Sequence, residues 1–92
     1  MITLDILVAE SAGLAREDVE RWIAQNWVRA DRDGGHWVFQ DIDVARVRLI
    51  RELRDELAVN EEALPVVLSL LDQLYALRRR VRAMGVVLRE AE

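Results

Sequence analysis

Apolar positions recur at helical spacing in four stretches of the chain, with one short interruption that alternates instead. Ile6, Val8, Ala9 and Ala12 form the first apolar stripe. Asp5 precedes it, where a carboxylate can accept from the free amides of a helix start. Gly13 is placed to stop this helix, because its missing Cβ permits a left-handed conformation. A second helix is expected from about Ala15 to Gln25, with Val19, Trp22 and Ile23 on one side. Glu17 and Asp18 fall in its first turn, where the helix dipole favours acid. Trp27 and Val28 then return the chain to the core.

Residues 28–39 break this pattern and predict a hairpin. Val28-Arg29-Ala30 leads in, Asp33-Gly34-Gly35 turns, and Trp37-Val38-Phe39 leads out. A third helix is expected from Asp41, which reads as its cap. Val44, Val47, Ile50, Leu53 and Leu57 supply its stripe, and Ile42, Ala45 and Leu49 widen it. Ala58-Val59-Asn60 is a short break, with Asn60 as the next cap.

The last helix has the most regular pattern. Val67, Leu70, Leu74, Leu77, Val81, Met84 and Leu88 are spaced 3, 4, 3, 4, 3, 4, an unbroken heptad seam. A helix of about 30 residues is about 45 Å long, more than so small a domain can cover. Most of the seam is therefore expected to face a second copy of the chain in a homodimer. Pro65 lies slightly late for a first helical position and shifts the expected start toward Glu61 or Glu62. Gly85 marks a weak point in the helix. The fold expected is mainly α: a winged helix–turn–helix with a small β-hairpin wing, followed by a long C-terminal coiled-coil helix. Residues 1–58 form the winged domain with its linker helix, and residues 59–92 the dimerisation helix.

Composition narrows the chemistry. The 92 residues suit a single domain, contain no Cys and one His, and are 52% hydrophobic. Cysteine-based metal or redox chemistry is excluded, and a triad enzyme would have to use His36 alone. No metal, cofactor or catalytic site is expected. No apolar run approaches a membrane span, and the start Met1-Ile2-Thr3-Leu4-Asp5 lacks a basic leader, so the expectation is a soluble, cytoplasmic protein.

Charge is unevenly spread. The net −4 comes from 17 acids against 13 basic groups, all arginine. Residues 1–73 hold eight arginines and fifteen acids, net −7, while residues 74–92 hold five arginines and two acids, net +3. The expected second helix offers Arg16 and Arg21 against Glu17, Asp18 and Glu20. A helix that reads the DNA major groove needs outward donors and phosphate neutralisation. This one reads three ways: a DNA-binding helix, a merely solvated one, or an acidic surface for a basic protein. Arg78, Arg79, Arg80 and Arg82 form the basic cluster. It reads as seam-flanking positions that pair with acids of a second chain, or as a site for phosphate or an acidic partner. Glu61, Glu62, Asp72, Asp55 and Glu56 read as capping or solvated acids rather than an acid–base pair. Trp22, Trp27, Trp37 and Phe39 read as core anchors.

The order helix–turn–helix, wing, linker helix and long terminal helix resembles the MerR architecture, and within it the chaperone-modulator branch. The likeness covers nearly the whole length. It rests on Ala12-Gly13-Leu14, on Trp37-Val38-Phe39, on Leu53-Arg54-Asp55-Glu56-Leu57-Ala58-Val59-Asn60, and on Leu68-Ser69-Leu70-Leu71-Asp72-Gln73-Leu74. The resemblance implies a non-enzymatic regulator that binds the J-domain of a DnaJ-like co-chaperone and inhibits its stimulation of Hsp70. J-domains engage Hsp70 partly through a basic helix, and an acidic modulator suits it. Glu17, Asp18 and Glu20 are the first candidate contacts, and Asp55 and Glu56 the second. The alternative is a dimeric MerR-type DNA-binding transcriptional regulator. Against it, the second helix lacks the basic residues of DNA-binding relatives, and Ala15 stands where those relatives often carry Ser or Thr.

Overall fold

The computed structural model describes residues 1–91, with side chains described through residue 85. The elements run β1 (Ile2–Thr3), α1 (Leu4–Glu10), α2 (Arg16–Ala24), β2 (Asp31–Asp33), β3 (His36–Phe39), α3 (Asp41–Asp55) and α4 (Leu64–Ala91). The three strands form an antiparallel sheet in the order β1-β3-β2. The protein is a winged helix–turn–helix with a small sheet and a long terminal helix, as the periodicity predicts.

The helix–turn–helix departs from expectation at its start. Ile2 and Thr3 pair with Phe39 and Val38 of the wing, a strand too short to leave a periodic signal. This pairing sets the helix start at Leu4. Thr3, not Asp5, is the cap, its hydroxyl accepting from the Ile6 amide at 3.3 Å. Asp5 lies in the first turn instead. The buried face of α1 is Leu4 and Leu7, whereas Ile6 faces solvent and Val8 is half-buried. Ala12 and Gly13 lie beyond the helix, which ends at Glu10, and Gly13 adopts φ +78° in the turn before α2. In α2, Val19 and Trp22 are fully buried and Ile23 half-buried, as expected.

The wing turns at Gly34 and Gly35, φ +56° and +81°, between the paired residues Asp33 and His36. Positive φ at both central residues matches the right-handed twist of the strands, and only glycine adopts it without strain. Val28 does not lead into a strand. It is buried in the core, and pairing begins at Asp31.

The N-cap of α3 lies one residue before the expected one, so that Asp41 is already helical. Gln40 is the N-cap, closed by a capping box in which its amide donates to Asp43 at 3.2 Å. Val47, Ile50 and Leu53 are buried, while Ile42, Ala45 and Leu57 are exposed. The chain reverses after Asp55 through Ala58 at φ +54°, and the Val59 amide donates to the Leu53 carbonyl at 2.8 Å. Leu57 is thereby turned outward, and half-buried Val59 packs against the core in its place.

Asn60 accepts from the Ala63 amide at 2.8 Å and caps a single turn. Pro65 lacks an N–H, and α4 proper starts at Leu64 rather than Glu61 or Glu62. The break between residues 58 and 59 falls in this reversal, but Leu64 and Leu68 belong to the same core as Trp22, Phe39 and Ile50. That core comprises Leu4, Leu7, Leu14, Val19, Trp22, Val28, Phe39, Val47, Ile50, Leu53, Leu64 and Leu68. Trp22 and Phe39 are fully buried anchors, whereas Trp27 and Trp37 are half-buried at its edge.

Beyond Leu71, α4 leaves the core. Its 28 residues span about 42 Å, and the longest molecular extent is 52 Å. The radius of gyration is 16.3 Å, against about 12 Å for a compact chain of this size. On the side of α4 away from the core, Leu70 is 58% exposed, Leu77 55%, Val81 60% and Met84 64%. Leu74 is exposed as well, while Val67 is half-buried against the protein's own core. Leu88 lies outside the residues whose side chains are described.

Candidate protein-binding surface

The start of α2 and the end of α3 meet at one guanidinium. Arg54 donates to Asp18 at 2.7 Å, to Asp55 at 2.7 and 3.1 Å, and to the Gly13 carbonyl at 3.3 Å. Its cationic carbon lies 5.3 Å from the centre of the Trp22 ring. Asp18 also accepts from Arg21 at 3.0 Å, and Arg21 in turn holds Glu61. The result is a chain of alternating charge, Asp55–Arg54–Asp18–Arg21–Glu61, that ties α2, α3 and the turn before α4 together. Two candidate groups 37 positions apart in the chain, Asp18 and Asp55, thus share one cation.

The electrostatics follow from this geometry. Burial pushes the Asp18 carboxyl up, but hydrogen bonds from Arg54 and Arg21 outweigh it and hold the group below its ordinary value of 3.8. A hydrogen bond from Arg21 lowers Glu61 below 4.5, and one from Arg54 lowers Asp55. Groups with depressed folded-state pKa values stabilise the fold above their unfolded values, and that stability is lost as pH falls through the folded ones. Thermal melts should therefore be flat from neutral pH to about pH 5 and fall steeply below about pH 4. In Arg21→Gln the acid-side fall should be shallower. An unchanged acid limb in that variant would contradict the network.

The remaining candidates are placed differently. Glu20 faces Arg16 at 3.5 Å, and Arg16 also pairs with Asp5. Glu17 and Glu56 are exposed and have no ion-pair partner among the described residues. Glu17, Asp18, Asp55 and Glu56 thus lie on the two elements joined at Arg54. Glu20 belongs to a separate cluster around Arg16.

The same pairs decide what α2 offers to DNA. Its two arginines, Arg16 and Arg21, are both held by carboxylates of the chain itself. In the wing, Arg32 lies 4.2 Å over the Trp37 ring and donates to the Gly35 carbonyl at 3.4 Å, folded back rather than extended. Trp37 is therefore a platform for Arg32 as well as a neighbour of the core.

Cavities flank the domain. One of about 220 Å³ lies between α1, α2 and the wing and is lined by Asp5, Arg16, Glu20, Arg32, His36 and Trp37 among others. A shallower one of about 420 Å³ runs between Trp27 and α4 beside Arg46 and Asp72. There Arg46 donates to both oxygens of Asp72, at 2.7 and 3.1 Å, and to the Trp27 carbonyl at 3.0 Å. This bidentate clamp ties α3 to α4. Among the described residues, no three or more His, Asp or Glu converge as a metal site, and no helix is long and apolar enough to cross a membrane.

A family profile described as MerR HTH family regulatory protein matches residues 6–85. The chain belongs to the MerR helix–turn–helix family. The match runs from α1 across the wing and α3 and well into α4, so it includes the exposed stripe of α4. A search of curated proteins and a search of solved structures found no match. Within the MerR fold, the arginines that organise the acidic face escaped sequence reading. Arg54 and Arg21 also hold near partners in sequence, but the contacts that join the elements reach 36 and 40 residues away, Arg54 to Asp18 and Arg21 to Glu61.

Proposed function

We propose that this MerR-family chain is a non-enzymatic regulator that binds a basic protein partner, the J-domain of a DnaJ-like co-chaperone, and inhibits its stimulation of Hsp70. One observation carries the reading. Both arginines of α2 are held by the protein's own carboxylates, so the helix that would enter a DNA groove presents acid instead. Each carboxylate facing phosphate opposes the neutralisation on which DNA affinity depends, whereas a basic helix complements it. Glu17, Asp18 and Glu20 are the first contact residues and Asp55 and Glu56 the second, with Glu17 and Glu56 holding no ion pair among the described residues. The resemblance to the chaperone-modulator branch names the partner.

The protein acts as a homodimer. Its seam is Val67, Leu70, Leu74, Leu77, Val81, Met84 and Leu88, of which Leu70 to Met84 stand exposed in the single chain. A helix stripe this long and apolar is expected to bury itself against a second copy.

Titration calorimetry against the cognate J-domain tests the partner. We expect saturable binding that weakens at high salt and competes with Hsp70. Glu17→Arg combined with Glu56→Arg should weaken it about tenfold, since each exposed pair contributes roughly 0.2–1 kcal/mol and reversal adds repulsion. Absence of heat and of competition would sink the reading. Tight, salt-sensitive binding to a palindromic duplex in a gel-shift assay would favour the DNA-binding alternative.

A further inference from the structure

The arginine band of α4 is used by neither the core nor the acidic face. Arg78, Arg79, Arg80 and Arg82 are exposed, and among the described residues none has a carboxylate within ion-pair distance. By contrast Arg16, Arg21, Arg46 and Arg54 each hold at least one. Four like charges on little more than one helical turn repel one another, Arg78 and Arg82 directly at i,i+4. An anion bound there relieves that repulsion.

The band also points the right way. At about 100° per residue, Leu70, Leu74, Leu77, Val81 and Met84 occupy one side of α4. Arg79 and Arg82 fall on the opposite side, and Arg78 and Arg80 flank the stripe. Burial of the stripe against a second copy takes up the stripe side of the helix and leaves Arg79 and Arg82, on the opposite side, open. The winged domain does not cover them either: Leu71 is the last α4 residue packed against the core, and Asp72 carries the last ion pair to α3.

The size and surroundings of the band select the occupant. Residues 78–82 rise only about 6 Å along the axis. The chain up to residue 73 carries net −7. Duplex DNA, with one charge per about 1.7 Å, runs past the band onto this acidic domain and is repelled there. A short run of carboxylates matches the band and ends before the acidic domain, and arginine binds carboxylate in planar, two-pronged geometry. We propose that Arg78, Arg79, Arg80 and Arg82 form a second docking surface, separate from the acidic face, that takes a short acidic peptide segment of a partner protein.

Fluorescence anisotropy of a fluorescein-labelled hexaglutamate, titrated with the full chain, tests this. Saturable binding is expected at about 50 mM salt, much weakened at about 300 mM. Arg79→Gln with Arg82→Gln should weaken it about fivefold, and Arg16→Gln should leave it unchanged. Circular dichroism of the double variant should match the parent, because both side chains are exposed. Arg78→Gln with Arg80→Gln provides a second, independent pair. No saturable binding at low salt, or binding as tight as the parent's by both double variants, would overturn the proposal. So would tighter binding of a short DNA duplex through the same arginines. Light scattering that shows the Arg79/Arg82 variant losing its dimer would assign the band to the second copy instead. None of these outcomes depends on whether a J-domain binds the acidic face.

Discussion

The double substitution Leu74→Glu and Leu77→Glu is expected to convert the protein from a dimer to a monomer at micromolar concentration. Both positions lie in the exposed stripe of α4, which is uncovered among the described residues from Leu70 to Met84. Burial of a leucine contributes about 1.5–3 kcal/mol, and a symmetric dimer loses four of them, so dissociation should strengthen by more than about a thousandfold. The single chain should keep its fold, since neither side chain belongs to its core. Light scattering measures the mass, and tryptophan fluorescence during a thermal melt reports the winged domain. A parent that is already monomeric, or a variant of unchanged mass, would refute the seam. A comparable substitution at Leu68, which is 2% exposed, should instead damage the fold of the protomer itself.

The second large effect is expected at Arg54. Its side chain is only 20% exposed, holds Asp18 and Asp55, reaches the Gly13 carbonyl and lies against Trp22. Arg54→Ala leaves two carboxylates close together without their shared cation. The loss should be about 2 kcal/mol, between the value of a surface pair and that of a fully buried one. For a chain of this size that lowers the melting temperature by about 8–16 °C. Arg78→Ala, at an exposed position without an ion pair, should change it little. Differential scanning calorimetry compares the two. Equal melting temperatures would mean that the network contributes nothing to holding α2 against α3.

Much of this architecture is legible in the sequence where a period is long or a turn is chemically explicit. The spacing of Val47, Ile50 and Leu53 marks the inner face of α3, and Gly34-Gly35 marks the wing turn. The 3–4 spacing from Leu70 to Met84 marks a stripe that the structure leaves open. Short elements are less legible. Two residues of β1 carry no period, so the pairing of Ile2 with Phe39 cannot be foreseen, and with it goes the true cap at Thr3. The ends of α3 show the same limit, since a capping box at Gln40 and a left-handed Ala58 decide whether Ile42 and Leu57 face in or out.

The acidic face is legible in composition but not in organisation. Charge counting locates an excess of acid before residue 74. It does not distinguish Glu17, which remains free, from Asp18, which two arginines hold. Those partnerships join residues 3 and 36 positions apart. The longer of the two exists only once α2 and α3 have packed around Trp22.

The strand β2 has a consequence for how copies of this protein meet. It lies at the edge of the sheet, and its residues Asp31, Arg32 and Asp33 are all exposed. A second strand laid along that edge would bring identical chains together with like charges opposed and only three residues of ladder to gain. The sheet therefore resists growth from one molecule to the next, as a fibre would require. The proposed seam on the helix differs in kind, because a contact between two copies there closes on itself and stops at a finite assembly.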